Sequence, residues 1–531
     1  MKKARLQKLS ALVLAAALAL TSCGGGGGEQ QGSSGKTNLV MSTSVGEPGN
    51  LHPYATNNAG VKNSIGSVYE CLFKLAKDGS EVLPGIGESW EWSDDYMQLT
   101  VHLRQGVKFH NGEELKASDV AFSINQWGEF STPRASLNDS LDFENVETPD
   151  DYTVVINMVT PDSSVVANMA SIQCHTFIVS EKAWNELGDQ MQYEPVGTGP
   201  FAFDEWVQGD HLSLKRFDDY WGGPAKLESI TLRYIEEQSQ AYIELETGGL
   251  DCTMEALSTD IQRAEENENL QVITSEGTSV RMNALNFNCA VPELSDARVR
   301  QAIGYAIDKE AIQNTIWPVE GEVAYSVLPV DGWGYDESLT GTANGYDLEK
   351  AKQLMAEAGY PNGFDRPLTL LTDSRDYHVS SVEMIQNALG QLGIQVEVST
   401  IELTAQKEIM VTGEGYDLYM LDYVCSATDP LFGVYRSFYP PYGITNSSQY
   451  LMNANTEQAT EFAAILDEIK AEFDETAKLE LTKEMQTLFL EEMYCVPLCS
   501  QTPTAVAVQN LKNVQMFGNG TLYIGNETYF E

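Results

Sequence analysis

The sequence predicts a layered α/β protein, with strands and helices interleaved and a mostly parallel sheet in its second half. Three observations carry this expectation. The chain has 531 residues, 42% hydrophobic and 21% charged, enough to fill more than one core of ordinary size. Segments of period-2 apolar alternation are interspersed with segments of helical period. From about residue 296 onward, helical and strand patterns follow one another across short turns, as β-α units do. No self-similar period appears, which excludes repeat architectures.

In chain order, four basic residues (Lys2, Lys3, Arg5, Lys8) precede an unbroken apolar run, Ala11–Leu20. Such a run reaches about 15 Å as a helix, half of a roughly 30 Å bilayer core, so residues 1–22 are expected to be a signal peptide and not a span. Leu20-Thr-Ser-Cys23 resembles the lipobox of bacterial lipoproteins, which implies lipid on Cys23. The glycine-rich stretch that follows makes residues 23–36 a lipidated cysteine and flexible tether. A folded body held at the outer face of the cytoplasmic membrane is the expectation.

Leu99–Leu103 and Thr153–Met158 alternate as strands do. A helix is expected over about 296–307, where Val299, Ala302, Ile303 and Ala306 share a stripe. A second begins at the N-cap Asp347 and ends at Gly359. A third is expected from Ser380, with Glu383 completing a capping box, to Leu392, with Gly393 as its stop and Ile394–Val398 as the next strand.

Charge and motif content narrow the function. Acidic residues number 77 against 32 basic ones, a net charge of −45 without a basic patch, which disfavours a nucleic-acid partner. Beyond Cys23 there are seven cysteines, an odd number; they read as small buried hydrophobes and not as a disulfide framework. With no CxxC and six scattered histidines, no metal site and no cofactor is expected. Neither GxSxG nor HExxH occurs, and the paired carboxylates read as solvated faces, so the chain is expected not to be an enzyme. Val196-Gly-Thr-Gly-Pro-Phe201 lacks the third glycine and the setting of a dinucleotide site and reads as a sharp linker between strands. Phe109-His-Asn-Gly112 reads as a hairpin turn, with His110 a packing residue.

From about residue 38 onward, ordered blocks accumulate: Leu51-His-Pro-Tyr54, Tyr69-Glu-Cys-Leu-Phe73, Glu88-Ser-Trp-Glu-Trp-Ser-Asp-Asp95, Leu103-Arg-Gln-Gly-Val-Lys-Phe-His-Asn-Gly112, Gly197-Thr-Gly-Pro-Phe201, Asp219-Tyr-Trp-Gly222, Thr247-Gly-Gly-Leu-Asp251, Val299-Arg-Gln-Ala302 and Ala356-Glu-Ala-Gly-Tyr-Pro361. Through them the chain resembles the bacterial extracellular solute-binding proteins of family 5. The resemblance implies a two-lobed clamp of the periplasmic-binding-protein type II, mixed sheets flanked by helices, with an extra subdomain in the N-terminal lobe. It divides the chain into lobe I (37–71, 196–285 and 500–531), the subdomain (72–195) and lobe II (286–499). It implies a monomeric receptor that closes on a small solute, a peptide first among the choices, and delivers it to an ABC permease. An oligosaccharide, a metal chelate, haem, or a sensor or chaperone-like role stay open.

Peptide-binding members carry an aspartate for the ligand's ammonium in a motif that here reads Tyr423-Val-Cys-Ser-Ala-Thr-Asp-Pro430, which puts Ser426 at that position. A buried ammonium without a carboxylate loses its compensation for desolvation. Asp429 either substitutes or is structural. Arg375 falls where dipeptide-binding relatives clamp the ligand carboxylate, with Tyr377 beside it; the alternative is pairing with Asp373 or Asp376. Arg436 is a second carboxylate candidate, and Tyr423 an aromatic wall.

Overall fold

The computed structural model describes residues 35–531 apart from 45–46, 55–58, 138–139, 276–279, 331, 342–344, 426–428, 430, 440–456 and 518–519. The expected signal peptide, Cys23 and Ser426 therefore lie outside the described residues. Met1–Lys36 and Thr37–Glu531 are separate units, and every element below belongs to the second.

Strand Asn38–Thr43 buries Leu39 and Met41 and lies between two parallel neighbours, Ser229–Tyr234 and Cys252–Met254. Antiparallel strands extend this sheet to seven, in the order Leu270–Thr274, Thr504–Val508, Cys252–Met254, Asn38–Thr43, Ser229–Tyr234, His211–Arg216 and Phe201–Val207. A four-stranded antiparallel sheet (Gly87–Trp92, Gln98–Leu103, Thr153–Met158, Leu141–Asp150) occupies the expected subdomain. Helix Ala117–Glu129 buries Val120, Ile124 and Trp127 against it. One continuous apolar core joins these two sheets, so the subdomain is built onto the first lobe.

The other lobe holds six strands, in the order Gly321–Val323, Cys495–Gln501, Val280–Phe287, Leu418–Cys425, Leu368–Asp373 and Val396–Ile401. Leu368–Asp373 is parallel to both neighbours, whereas Val280–Phe287 is antiparallel to both of its own. The sheet is thus mixed, where the β-α pattern predicts a mostly parallel one. The reason is that Val280–Phe287 enters the sheet directly from the other lobe and Cys495–Gln501 leaves it directly, without the crossover that would bring the chain round to run parallel. Val280–Phe287 lies wholly in this sheet, which moves the first crossing ahead of Val280 from the expected 285/286 boundary; the return follows Gln501 instead of preceding Ser500.

Local signals place most second-lobe helices. Asp296 caps Ala297–Ala306, and the Asp347 carboxylate accepts from the Lys350 N–H at the start of Leu348–Glu357. The third helix differs: it runs Asp376–Gly390, so Ser380 is inside it and caps nothing. Its first turn is drawn back to Arg375 by the polar cluster described below. Gly393 follows at φ 77°, a left-handed turn that delays the strand to Val396. Val382, Ile385 and Leu389 are buried against Leu368 and Leu370.

The Gly197-Thr-Gly199 linker owes its glycines to close approach. A Cβ at Gly197 would stand 2.1 Å from the Val68 carbonyl oxygen, and one at Gly199 2.4 Å from that of Ser67. His110 clasps the same linker, its Nδ1 accepting from the Gly197 N–H and its Nε2 lying 2.9 Å from the Gly199 carbonyl. All seven described cysteines are free thiols, and every one but Cys289 is buried.

Candidate functional site

In α/β sheets, ligands sit beyond the carboxyl ends of parallel strands, where diverging loops leave a crevice. In the first lobe those ends are Thr43 and Ser44 after Asn38–Thr43, and Glu255 after Cys252–Met254. In the second they are Asp373 to Tyr377 after Leu368–Asp373, and Asp422 to Cys425 within Leu418–Cys425. Arg281, near the start of Val280–Phe287, brings the two sets together: it pairs with Asp422 in its own lobe and is attracted by Glu255 of the other. Beside it the chain crossings are tied by Ser275 to Pro503, Thr502 to Glu320, and Ser258 to Glu320.

Arg375 sits at the centre of the second-lobe group. Its Nε and Nη2 donate to the two oxygens of Asp373 at 2.9 and 2.7 Å, a bidentate fork. Nη2 also donates to Asp422 Oδ1 at 2.6 Å, and Nη1 donates to the Tyr377 hydroxyl. Among the described residues, one of the five guanidinium N–H bonds, on Nη1, is left. The other oxygen of Asp422 lies 3.2 Å from Arg281 Nε, and Arg281 Nη1 donates to Tyr377 at 3.3 Å. His378 is fully buried with Nδ1 2.8 Å from Asp373, a distance that suits an Nδ1–H donor.

The electrostatics agree with this pairing. Burial alone would raise the Asp422 carboxyl, but the Arg375 and Arg281 guanidiniums outweigh it and hold the group well below the usual carboxylate range. Asp373 is likewise lowered against burial by His378 and Arg375. Burial and the Arg375 charge lower His378. Glu255 goes the other way: burial raises it, against the hydrogen bonds of Ser44 and Thr43 and the attraction of Arg281.

Of the residues read from the sequence, Arg375 and Tyr377 thus stand together, with the expected Asp373 pairing present and Asp422 added to it. Tyr423 does not stand with them. It is 7% exposed, packed edge-on against Phe438, and donates to the Val327 carbonyl at 2.9 Å, so its ring belongs to the lobe core. Arg436, on helix Phe432–Phe438, lies over the Phe432 ring and, after burial and Lys62, contributes to lowering His175 of the first lobe to about 3.

Asp429 is buried, with Asn168 and Asp162 of the first lobe beside it. Burial pushes it up to about 6, with Lys478 opposing and Asp162 adding to the rise. The same seam carries Ser163, whose N–H donates to the Lys470 carbonyl at 2.9 Å and whose hydroxyl accepts from Lys478 at 2.8 Å. At its edge Phe473, in the turn between helices Glu457–Ala471 and Glu475–Glu492, stacks on Tyr96 of the subdomain.

Sequence reading missed Arg281, Asp422 and Glu255. A signal existed for the first two: each is the one charge inside an apolar strand run, Val280–Phe287 and Leu418–Cys425, and a charge so placed is buried only if paired.

Two lobes whose strand ends and charged side chains gather around Arg281, joined by two adjacent crossings, have the architecture of a clamp. The chain matches the family described as bacterial extracellular solute-binding proteins, family 5, over residues 81–443, and it belongs to that family. It is 26% identical to the dipeptide-binding protein of Escherichia coli K12, covering 87% of this chain and 89% of that one. It is 30% identical to the glutathione-binding protein GsiB of Pectobacterium atrosepticum, covering 69% of each. Among solved structures, the Helicobacter pylori periplasmic binding protein DppA in complex with the peptide STSA superposes with a TM-score of 0.80 at 24% identity, covering 92% of this chain and 98% of that one. The two-lobed type II fold is thereby shown.

Proposed function

We propose that this protein is the extracytoplasmic receptor of an ABC importer, a monomer that captures a small peptide between its lobes and presents the closed form to the permease. The observation that carries the reading is that polar groups of both lobes gather around Arg281, Glu255 with its Ser44 partner from the first and Asp422 and Arg375 from the second. A ligand touching both lobes stabilises closure, which is the differential contact a clamp requires. Similarity to dipeptide- and glutathione-binding proteins favours a peptide as cargo.

Cys23 carries the lipid in this reading and residues 24–36 tether the body outside the cytoplasmic membrane. Replacing Cys23 by alanine is expected to move the protein from the membrane fraction to the soluble one.

The direct test is calorimetric titration of residues 37–531 with di- to penta-peptides, beside oligosaccharides, haem and nickel chelates. Binding of peptides alone supports the reading. Binding only of one of the other classes replaces the cargo and keeps the receptor role.

A further inference from the structure

The lobes also meet at a seam that shares no residue with the group around Arg281. On the second-lobe side it is the turn of a helical hairpin, between Glu457–Ala471 and Glu475–Glu492. The hairpin is fixed in its own lobe. Phe462, Leu466 and Ile469 of its first helix and Met485 and Phe489 of its second are buried in one apolar core, and Trp333 Nε1 donates to Glu475. Only the turn reaches the subdomain.

The last carbonyls of a helix have no N–H of their own helix to accept from. The Lys470 carbonyl accepts instead from the subdomain, from the Ser163 N–H at 2.9 Å and the Ser163 hydroxyl at 3.2 Å. That hydroxyl in turn accepts from Lys478 Nζ at 2.8 Å, in the first turn of the second helix, so one serine is gripped from both sides of the hairpin turn. Ser163 is itself held in place by its neighbour. Asp162, fully buried, accepts from the Ser164 N–H at 2.9 Å and from the Ser164 and Ser140 hydroxyls, each at 2.7 Å.

A second contact lies on a different loop of the subdomain. Phe473, inside the hairpin turn, stacks on Tyr96 with ring centroids 3.8 Å apart and meets Trp92 edge-on at 5.4 Å. Neither Tyr96 nor Phe473 belongs to an apolar core, and Tyr96 is still 38% exposed beneath the stack. The two rings can therefore part without opening a core. The bonds to Ser163 are of the same kind, since water can replace each of them with little net change.

We propose that the Lys470–Lys478 turn is a latch and the subdomain its catch, a device that holds the clamp closed through the chain's own contacts. The inference takes from the receptor reading only that the lobes separate and close. Separation breaks the Ser163 bonds and the Phe473 stack together. The apparent affinity for any cargo scales with the fraction of ligand-free protein in the binding-competent form, so a latch on the closed form strengthens binding by one common factor whatever the cargo. This gives the subdomain a task that needs no contact with cargo.

The test is amide hydrogen exchange at Ser163, with small-angle scattering, on the ligand-free protein. Wild type is compared with Phe473→Ala and Tyr96→Ala, which remove the stack from opposite lobes. Neither substitution deletes a partner of Ser163, so its amide responds only through a shared opening. Exchange is expected to quicken about threefold to tenfold in both variants, the factor that corresponds to an aromatic pair, with an expanded scattering profile. Should Phe473→Ala fold poorly, Tyr96→Ala, at an exposed turn, supplies the same comparison. Exchange changed by less than about twofold, or a wild-type Ser163 amide as fast as in an unfolded chain, overturns the proposal. Faster exchange with unaltered scattering overturns it too, because the turn then loosens locally and the lobes do not part. No measurement here involves cargo, so the latch can fall while the receptor reading stands, and failure of every peptide to bind leaves the latch in place.

Discussion

The carboxylate of Asp422 meets the guanidinium of Arg375 at 2.6 Å across neighbouring strands of the six-stranded sheet, with Arg281 on its other oxygen at 3.2 Å. One anion thereby holds two cations together. Asp422→Ala leaves Arg375 and Arg281 without the carboxylate they share. A fully dry pair broken this way costs about 3–5 kcal/mol. Arg375 keeps 28% of its side chain in contact with solvent, which screens part of the loss, so about 2–3 kcal/mol is expected. Urea unfolding measures it; a change below 1 kcal/mol would mean that the cluster contributes little.

Phe473 and Tyr96 are stacked with centroids 3.8 Å apart and planes at 11°, and Trp92 meets Phe473 edge-on. This contact joins the second lobe to the subdomain, away from the crevice, and so adds to closure without touching cargo. An aromatic pair contributes about 0.5–1.5 kcal/mol beyond its buried area. Phe473→Ala is therefore expected to weaken cargo binding about threefold to tenfold through a faster off-rate, with an expanded ligand-free form in small-angle scattering. Unaltered scattering and affinity together would remove the contact from the closing equilibrium.

Asp429 sets a pH dependence. Its carboxyl stands at about 6, above the ordinary value of 3.8, so the folded chain holds this proton more tightly than the unfolded one. The group's contribution to stability is then greatest when protonated and is lost as pH rises from about 4 through 6. Lys478 and Asp162 are the charges facing it, the first opposing the rise and the second adding to it. At about 1.4 kcal/mol per pKa unit, the stability of Asp429→Asn relative to the wild type is expected to rise by about 2–3 kcal/mol between pH 4 and pH 7.5. Parallel curves for the two proteins would show that burial leaves Asp429 ionised.

The linker glycines are expected to differ sharply from a helical one. Gly197→Ala drives a Cβ onto the Val68 carbonyl, backbone that cannot rotate away, at a cost of about 2–3 kcal/mol. Gly390→Ala, with open space around its Cβ at the end of helix Asp376–Gly390, should stabilise by a few tenths of a kcal/mol up to about 1 kcal/mol. Thermal midpoints of the two variants moving in the same direction would contradict the close-approach account.

The sequence alone determined those features whose causes lie within a few residues: the Asp347 cap, the alternating strand Thr153–Met158, the Phe109–Gly112 turn and the ordered blocks that place the chain in its family. It also pointed to Arg375, through the resemblance to dipeptide-binding relatives. What Arg375 touches was decided only by tertiary structure, because Asp422 lies 47 residues away and comes beside it through strand pairing, which no local period encodes. The helix start at Asp376, four residues ahead of the Ser380 capping signal, follows from the same cluster, since burying Tyr377 and His378 beside Asp373 outweighs a local cap contributing about 1 kcal/mol. The mixed six-stranded sheet is tertiary in origin as well. Strand direction depends on where the chain enters a sheet, and two direct crossings between lobes leave the alternation of apolar residues unchanged while reversing the pairing.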